Sequence, residues 1–378
     1  DFIMPLEEHP LNTAGIRRTP LYDEHVKLGG RIVEFAGYEL PVWYTSQIEE
    51  HKFTRESCGV FDLTHMGEAI FEGPKALDTI DKLLSNNPRK LEVGQAQYTL
   101  LMNDKGGIVD DLIVYRLDDE VYLWVFNGAN VEKDTGWIRS KVADETIWRH
   151  RSYQTSLIAV QGPKSEAIVE RVFPDAGAKD LDYFGLKWLW REDEKWLTIA
   201  RTGYTGEDGF EIIVSNNFAV EIWQKLFECG GEDIKPIGLA ARDTLRMEKA
   251  YALYGNDIDE DSNPFEANLG WVVKLKNREF SSSEILQNLK KEGVIRKLSG
   301  LKPAGRAAAR HGDEIFADGK KVGIITSGSF APTVGDNIAL GYILKEYAEI
   351  DNIVQIEVRN KRIDAKVVNT PFIEPRTK

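Results

Sequence analysis

The chain has 378 residues, of which 42% are hydrophobic and 29% charged, with a formal net charge of −13. That length exceeds what one hydrophobic core normally supports, so two or three domains are expected. The acidic balance speaks against nucleic acid, whose phosphates need a basic footprint, and no apolar run reaches the roughly 20 residues of a bilayer-spanning helix.

Residues of high β propensity and alternating polarity predict strands over 32–35, 69–72, 98–102, 108–115, 121–126, 157–161, 197–201 and 210–214. Helical spacing predicts helices over 46–56, 75–84, 130–142, 164–172, 219–229, 239–250 and 281–293. Strands and helices do not alternate strictly, which favours an α+β chain over a doubly wound sheet. Beyond about residue 293 the pattern becomes short strands (297–301, 314–317, 321–326, 338–343, 354–358, 361–368) between Gly, Pro and Asn-Lys turns, predicting a separate small β domain. Residues 274–378 hold 19 Lys and Arg against 13 Asp and Glu, a net of +6, whereas residues 1–273 carry −19. Such asymmetry either steers an acidic partner or is simply solvated. Two distant cysteines, Cys58 and Cys229, fit reduced thiols. The absence of a secretory pattern, with Glu7 and Glu8 arguing against a retained organellar leader, predicts a cytoplasmic protein.

The run Gly107-Ile108-Val109-Asp110-Asp111-Leu112-Ile113-Val114-Tyr115 sets two adjacent carboxylates in an apolar strand. Their side chains must point to opposite faces. If one face is core, one aspartate is buried or lines a cavity, where a carboxylate is costly unless hydrogen-bonded or shifted in pKa. The alternative is an edge strand with both aspartates solvated, and strand parity does not choose between them. The six histidines show no metal-ligand spacing, and Walker and nucleophile-elbow motifs are missing, so no metal is expected. The glycine-rich segment 202–209 does not open a helix and reads as a tight hairpin with glycines at positive φ. It can bring Tyr204 to a flat ligand, with Glu211 on the outgoing strand accepting N–H groups of a heterocycle, unless Glu211 is merely exposed. Arg242 and Arg246 share a helix face at i, i+4, either as a clamp for a carboxylate or carbonyl or as a surface ion-pair network. His65 after a short strand is more often a structural hydrogen-bonder, and Asn127 at a strand end is either a turn residue or a ligand contact.

These segments stand in one order: Arg18-Thr19-Pro20-Leu21-Tyr22, Phe35-Ala36-Gly37-Tyr38-Glu39-Leu40-Pro41, Gly59-Val60-Phe61-Asp62-Leu63-Thr64-His65-Met66 and Gly106-Gly107-Ile108-Val109-Asp110-Asp111-Leu112. Glu132-Lys133-Asp134, Val160-Gln161-Gly162-Pro163, Gly203-Tyr204-Thr205-Gly206-Glu207 and Ala241-Arg242-Asp243-Thr244-Leu245-Arg246 follow. Leu253-Tyr254-Gly255-Asn256-Asp257, Asn268-Leu269-Gly270-Trp271 and Thr326-Ser327-Gly328 complete the series. Together they resemble the aminomethyltransferase family, the T-protein of the glycine cleavage system. The chain departs from the family at Gly305-Arg306-Ala307-Ala308-Ala309-Arg310-His311-Gly312, where a Gly-Ile-Pro-Arg-like turn is usual.

The resemblance implies a three-domain cloverleaf of mainly antiparallel sheets around a central folate site. Residues 1–66 plus 152–254 would form the first domain, 67–151 plus 255–293 the second, and 294–378 a β barrel or jelly roll. It also implies that Asp111 is the catalytic carboxylate, that Glu211 and Arg242 hold folate, and that Tyr98, Tyr204, Asn127 and Met66 line its site. The implied reaction starts from an aminomethyl group on the lipoyl arm of the H-protein. Its one-carbon unit passes to N5 and N10 of tetrahydrofolate, a cosubstrate, giving 5,10-methylenetetrahydrofolate, ammonia and dihydrolipoyl H-protein. The same fold serves folate-dependent demethylases and noncatalytic folate-binding proteins. No membrane or nucleic-acid partner is expected.

Overall fold

The computed structural model describes residues 8–143, 145–192 and 195–378; Glu7, and with it part of the leader argument, lies outside the described residues. The molecule is α+β, built on three large antiparallel-dominated sheets and a small N-terminal one.

The first large sheet runs Leu186–Glu192, Lys195–Ala200, Gly209–Ser215, Thr155–Gln161, Cys58–Asp62 and Ile234–Pro236. Its central strands are buried on both faces, which is why they read as unbroken apolar runs. Helices Ser165–Val172 and Asn216–Gly230 cover one face, with Ile168, Trp223 and Leu226 in the core. The other face packs Phe61, Leu157 and Ile213 against Ile70, Leu123 and Val125 of the second sheet. Helix Gln47–Glu56 begins one residue after the expected start because the Ser46 hydroxyl caps it, accepting the Glu49 N–H at 3.2 Å. The predicted set lacked helix Tyr22–Lys27 and strand Tyr38–Trp43. Pro41 argues against a central strand, yet it lies beyond the two-residue pairing of Tyr38 and Glu39 with Arg17 and Arg18, so its missing N–H is not needed on that side.

The second sheet has the order Gln95–Met102, Ile108–Asp118, Val121–Phe126, Gly67–Glu72 and Ile147–His150. Strand Ile108–Asp118 is therefore paired on both sides, which excludes the edge-strand reading of the two aspartates. The segment after residue 252 returns beneath this sheet, where Ile258, Val272, Phe280 and Leu286 pack on Leu100, Met102 and Ile108. The C-terminal strands close into a six-stranded barrel rather than a jelly roll. The strand expected at 321–326 continues as Lys320–Ala331, and its pairing shifts between Ile325 and Ser327. That bulge lets the adjacent Thr326 and Ser327 hydroxyls both reach Asp257.

The segment 202–209 is a wider loop than the expected tight hairpin. It closes around the Gln161 side chain, whose Nε2 donates to the Thr202 carbonyl at 3.0 Å while the Thr205 hydroxyl donates to its Oε1 at 2.8 Å. A Cβ at Gly203 would stand 2.0 Å from Gln161 Oε1, so Gly203 serves close approach, and among these glycines only Gly206 needs positive φ (+73°).

Glu68 sits at the junction of the first two sheets, fully buried, beside a cavity of about 10 Å³ lined also by Arg151, Gln154 and Trp196. Among the described residues no donor reaches either carboxyl oxygen, and the neighbouring Thr155 hydroxyl donates to the Arg151 carbonyl at 3.0 Å. Burial raises its pKa well above the usual carboxylate range. The folded state therefore holds a proton that the unfolded state releases, and stability falls as pH rises above about 4.3 toward the folded value. Glu68→Gln should accordingly gain on the wild type in thermal midpoint between pH 5 and pH 8. A difference constant across that range would show that Glu68 is ionised in the fold.

Candidate active site

Pairing between Ile108–Asp118 and Val121–Phe126 stops at Leu112 and Phe126, so Asn127, the next residue, is free to turn toward the two aspartates. Its backbone N–H donates to Asp110 Oδ2 at 3.0 Å, and its Nδ2 lies 2.8 Å from Asp110 Oδ1 and 2.9 Å from Asp111 Oδ1. One amide thus bridges carboxylates that leave opposite faces of the strand. Asp110 is fully buried and also accepts from Asn130 Nδ2 at 2.8 Å. Asp111 is only partly covered, and its Oδ2 accepts the Tyr98 hydroxyl at 2.9 Å. Desolvation, followed by the charge of Asp110, pushes the Asp111 carboxyl up to about 7.

The opposite side is built by the first sheet and helix Leu239–Glu248. Glu211 is 8% exposed, not a surface strand residue; Thr202 and Tyr115 hydroxyls donate to it, the latter at 3.5 Å. Burial raises its pKa, opposed by the Thr202 hydrogen bond and by the positive charge of Arg242. The Arg242 guanidinium lies 4.6 Å from the Tyr204 ring centroid and makes no ion pair among the described residues, leaving its planar fork open. Tyr98 and Tyr204 both feel the Asp111 charge. These interactions bring Asp111, Asn127, Tyr98, Tyr204, Arg242 and Glu211 into one electrostatic neighbourhood. Met66, partly buried, packs against the cluster that holds Leu63 and Tyr115. A polar, half-open arrangement of buried carboxylate, free guanidinium and aromatic rings suits a flat heterocycle bearing several N–H groups and a carbonyl.

Arg246 does not join the site despite its i, i+4 spacing from Arg242; it is buried and spent on Asp243 and Asp257. His65 does not show the structural hydrogen bonding its type suggested: among the described residues its buried Nδ1 has no partner, and its ring meets Phe35 edge-on at 5.3 Å. Burial and the Arg242 charge push it down to about 3, so it stays neutral. Sequence reasoning missed Tyr115 and Thr202 behind Glu211, and Asn130 and Asp134 behind Asp110. Tyr115 was readable from parity, since it stands four residues beyond Asp111 on the same face; the others depend on folding. Among the described residues no cluster of three metal-ligating side chains occurs, and no helix is long and apolar enough to cross a membrane.

Residues 21–277 match the GCVT N-terminal domain and residues 296–374 the glycine cleavage T-protein C-terminal barrel domain. The chain belongs to the aminomethyltransferase family. It is 45% identical over 359 residues to the aminomethyltransferase of Halothermothrix orenii, covering 95% of this chain and all of that one. Identity to the Thermotoga neapolitana aminomethyltransferase is 44%, over 94% of this chain and 98% of the relative. The crystal structure of glycine cleavage system aminomethyltransferase T from Bartonella henselae superposes with a TM-score of 0.90 at 33% identity, covering 96% of this chain and 99% of that one. Membership makes the protein an enzyme, a tetrahydrofolate-dependent aminomethyltransferase, and the demethylase and noncatalytic readings are not favoured.

Proposed function

We propose that the protein accepts an aminomethyl group from the lipoyl arm of a partner H-protein and uses Asp111 to move its one-carbon unit to tetrahydrofolate, with loss of ammonia and release of the arm as the dihydrolipoyl thiol. The observation that carries this reading is the partly open Asp111 carboxyl, poised at about 7 and oriented by Tyr98 and Asn127. Bound tetrahydrofolate would supply two nucleophilic nitrogens, N5 and N10. Glu211 accepts pterin N–H groups, Arg242 takes a carbonyl or carboxylate through its fork, and Tyr98, Tyr204, Asn127 and Met66 line the slot. Asp111 in its ionised form accepts the proton that leaves a ring nitrogen and offsets positive charge on the incoming carbon.

The net +6 of residues 274–378 fits an acidic face on the protein that carries the arm. Sheet membership supports dividing the chain into 1–66 plus 152–254, 67–151 plus 255–293, and 294–378. The test is ammonia release from aminomethyl-loaded H-protein. Release that depends on added tetrahydrofolate is expected; folate binding without release, or folate methylation by a small donor, would sink the reading.

A further inference from the structure

Asp134, on helix Val131–Arg139, is fully buried, and among the described residues no N–H or hydroxyl donor reaches either of its oxygens. The charge that acts on it most strongly is that of another carboxyl group, Asp110. Two carboxylates sharing a buried site cannot both ionise, so one of them carries a proton. Asp110 receives three N–H groups, at 3.0, 2.8 and 2.8 Å, all of which favour its charged form. Asp134 receives none, so the proton resides on Asp134.

We propose that Asp134 is a positioning residue of the active site: as a neutral acid it donates to Asp110, holding Asp110 as the single buried anion that fixes Asn127 against Asp111. The pattern Glu132-Lys133-Asp134 then has a physical reason at its third position. Charge and geometry act together here. Asp110 is the charge that acts most strongly on Asp111, and the same Asn127 amide touches both carboxylates. The other groups facing this cluster are accounted for. Lys133 donates to the Val109 carbonyl at 2.6 Å and to the Tyr254 hydroxyl at 2.7 Å, Tyr254 donates to the Ile108 carbonyl at 2.9 Å, and Glu132 receives the Tyr153 hydroxyl at 3.1 Å. Tyr98 faces Asp111. None of these is placed to supply the missing donor to Asp110.

The kinetic part of the test rests on Asp111 as the catalytic carboxylate; the spectroscopic part does not. Asp134→Asn still offers an N–H to Asp110, so kcat should stay within about threefold of wild type, with its acid limb unmoved. Asp134→Ala leaves Asp110 short of a donor. Asp110 then takes up its own proton, its repulsion of the Asp111 charge is lost, and the acid limb should move down by about one pH unit while kcat falls about tenfold. Equal losses in the two variants with an unmoved limb would overturn the proposal. Infrared difference spectra at pH 8 read the proton directly. Wild type minus Asp134→Asn should show the C=O stretch of one protonated carboxyl group, and the same band should survive in Asp111→Asn. Its absence would overturn the proposal whatever the kinetics. Full activity in Asp111→Asn with the band present would instead remove the catalytic reading and leave Asp134 as assigned.

Discussion

Asp111→Asn is expected to lower kcat for folate-dependent ammonia release by about 10²–10⁴-fold, the usual contribution of a positioned acid–base group. The substitution is nearly isosteric and Tyr98 can still donate to the amide oxygen, so folate affinity should change little. What disappears is the group that alternates between charged and neutral forms. Because the carboxyl is raised to about 7 and acts in its ionised form, wild-type kcat should fall as pH drops below about 7, tenfold for each unit once protonation dominates. The residual activity of the variant should lack that limb. An Asn variant retaining both full kcat and the limb would move the chemistry to another group. Asp110→Asn is the useful contrast. It removes the buried anion beside Asp111, so the limb should move to lower pH rather than vanish.

Arg246→Ala is expected to cost about 3–5 kcal/mol of stability, read as a lowered midpoint in equilibrium urea unfolding. The guanidinium is 2% exposed and joins three parts of the chain. Its Nε donates to Asp243 Oδ1 at 2.8 Å on its own helix. Nη1 donates to Asp257 Oδ2 at 2.8 Å and to the Tyr251 carbonyl at 3.1 Å, and Nη2 to the Ser327 hydroxyl of the barrel at 3.0 Å. Asp257 is fully buried, so truncating the arginine leaves an uncompensated charge in the interior. Its remaining donors, among them the Ser327 hydroxyl at 2.8 Å and the Leu253 N–H at 2.9 Å, cannot replace a cation. Asp243 has a side chain 47% exposed, so Asp243→Ala should cost only about 0–1 kcal/mol. Adding Asp257→Asn to the Arg246 variant should recover part of the loss, because a neutral pair is less costly to bury than a lone ion. A loss below about 1 kcal/mol for Arg246→Ala would show that the network is not what holds the barrel to the helix.

The two arginines of one helix face show how local pattern and tertiary context divide the information. Spacing placed Arg242 and Arg246 together on helix Leu239–Glu248. It could not tell that one would be spent on buried Asp257 while the other kept an open fork beside Tyr204. Their difference lies in partners at residues 204, 257 and 327, all outside the helix that carries the two arginines. The same holds for the loop at 202–209. Its glycines were legible, but their purpose was read as turn geometry, whereas Gly203 and Gly209 make room for Gln161 from another strand. Glu211 looked like an exposed strand residue by default, and only the packing of that sheet face against the second sheet, with Tyr115 and Thr202 reaching its carboxylate, buried it.

By itself the sequence determined what depends on neighbours a few residues away. Alternation and helical spacing located most strands and helices, the turn-rich end marked a separate β module, and the order of short motifs carried the family resemblance. It also determined that Asp110 and Asp111 leave opposite faces of one strand, since that follows from the period of two. Which of them is sealed and which stays open was decided by folding. Pairing on both sides made the strand central, its end at Phe126 released Asn127 to bridge the carboxylates, and helix Val131–Arg139 brought Asp134 to Asp110. Burial and charge–charge proximity are properties of segments distant in sequence. The pKa of a carboxyl group, and with it the chemistry it can perform, therefore took its value only when those segments met.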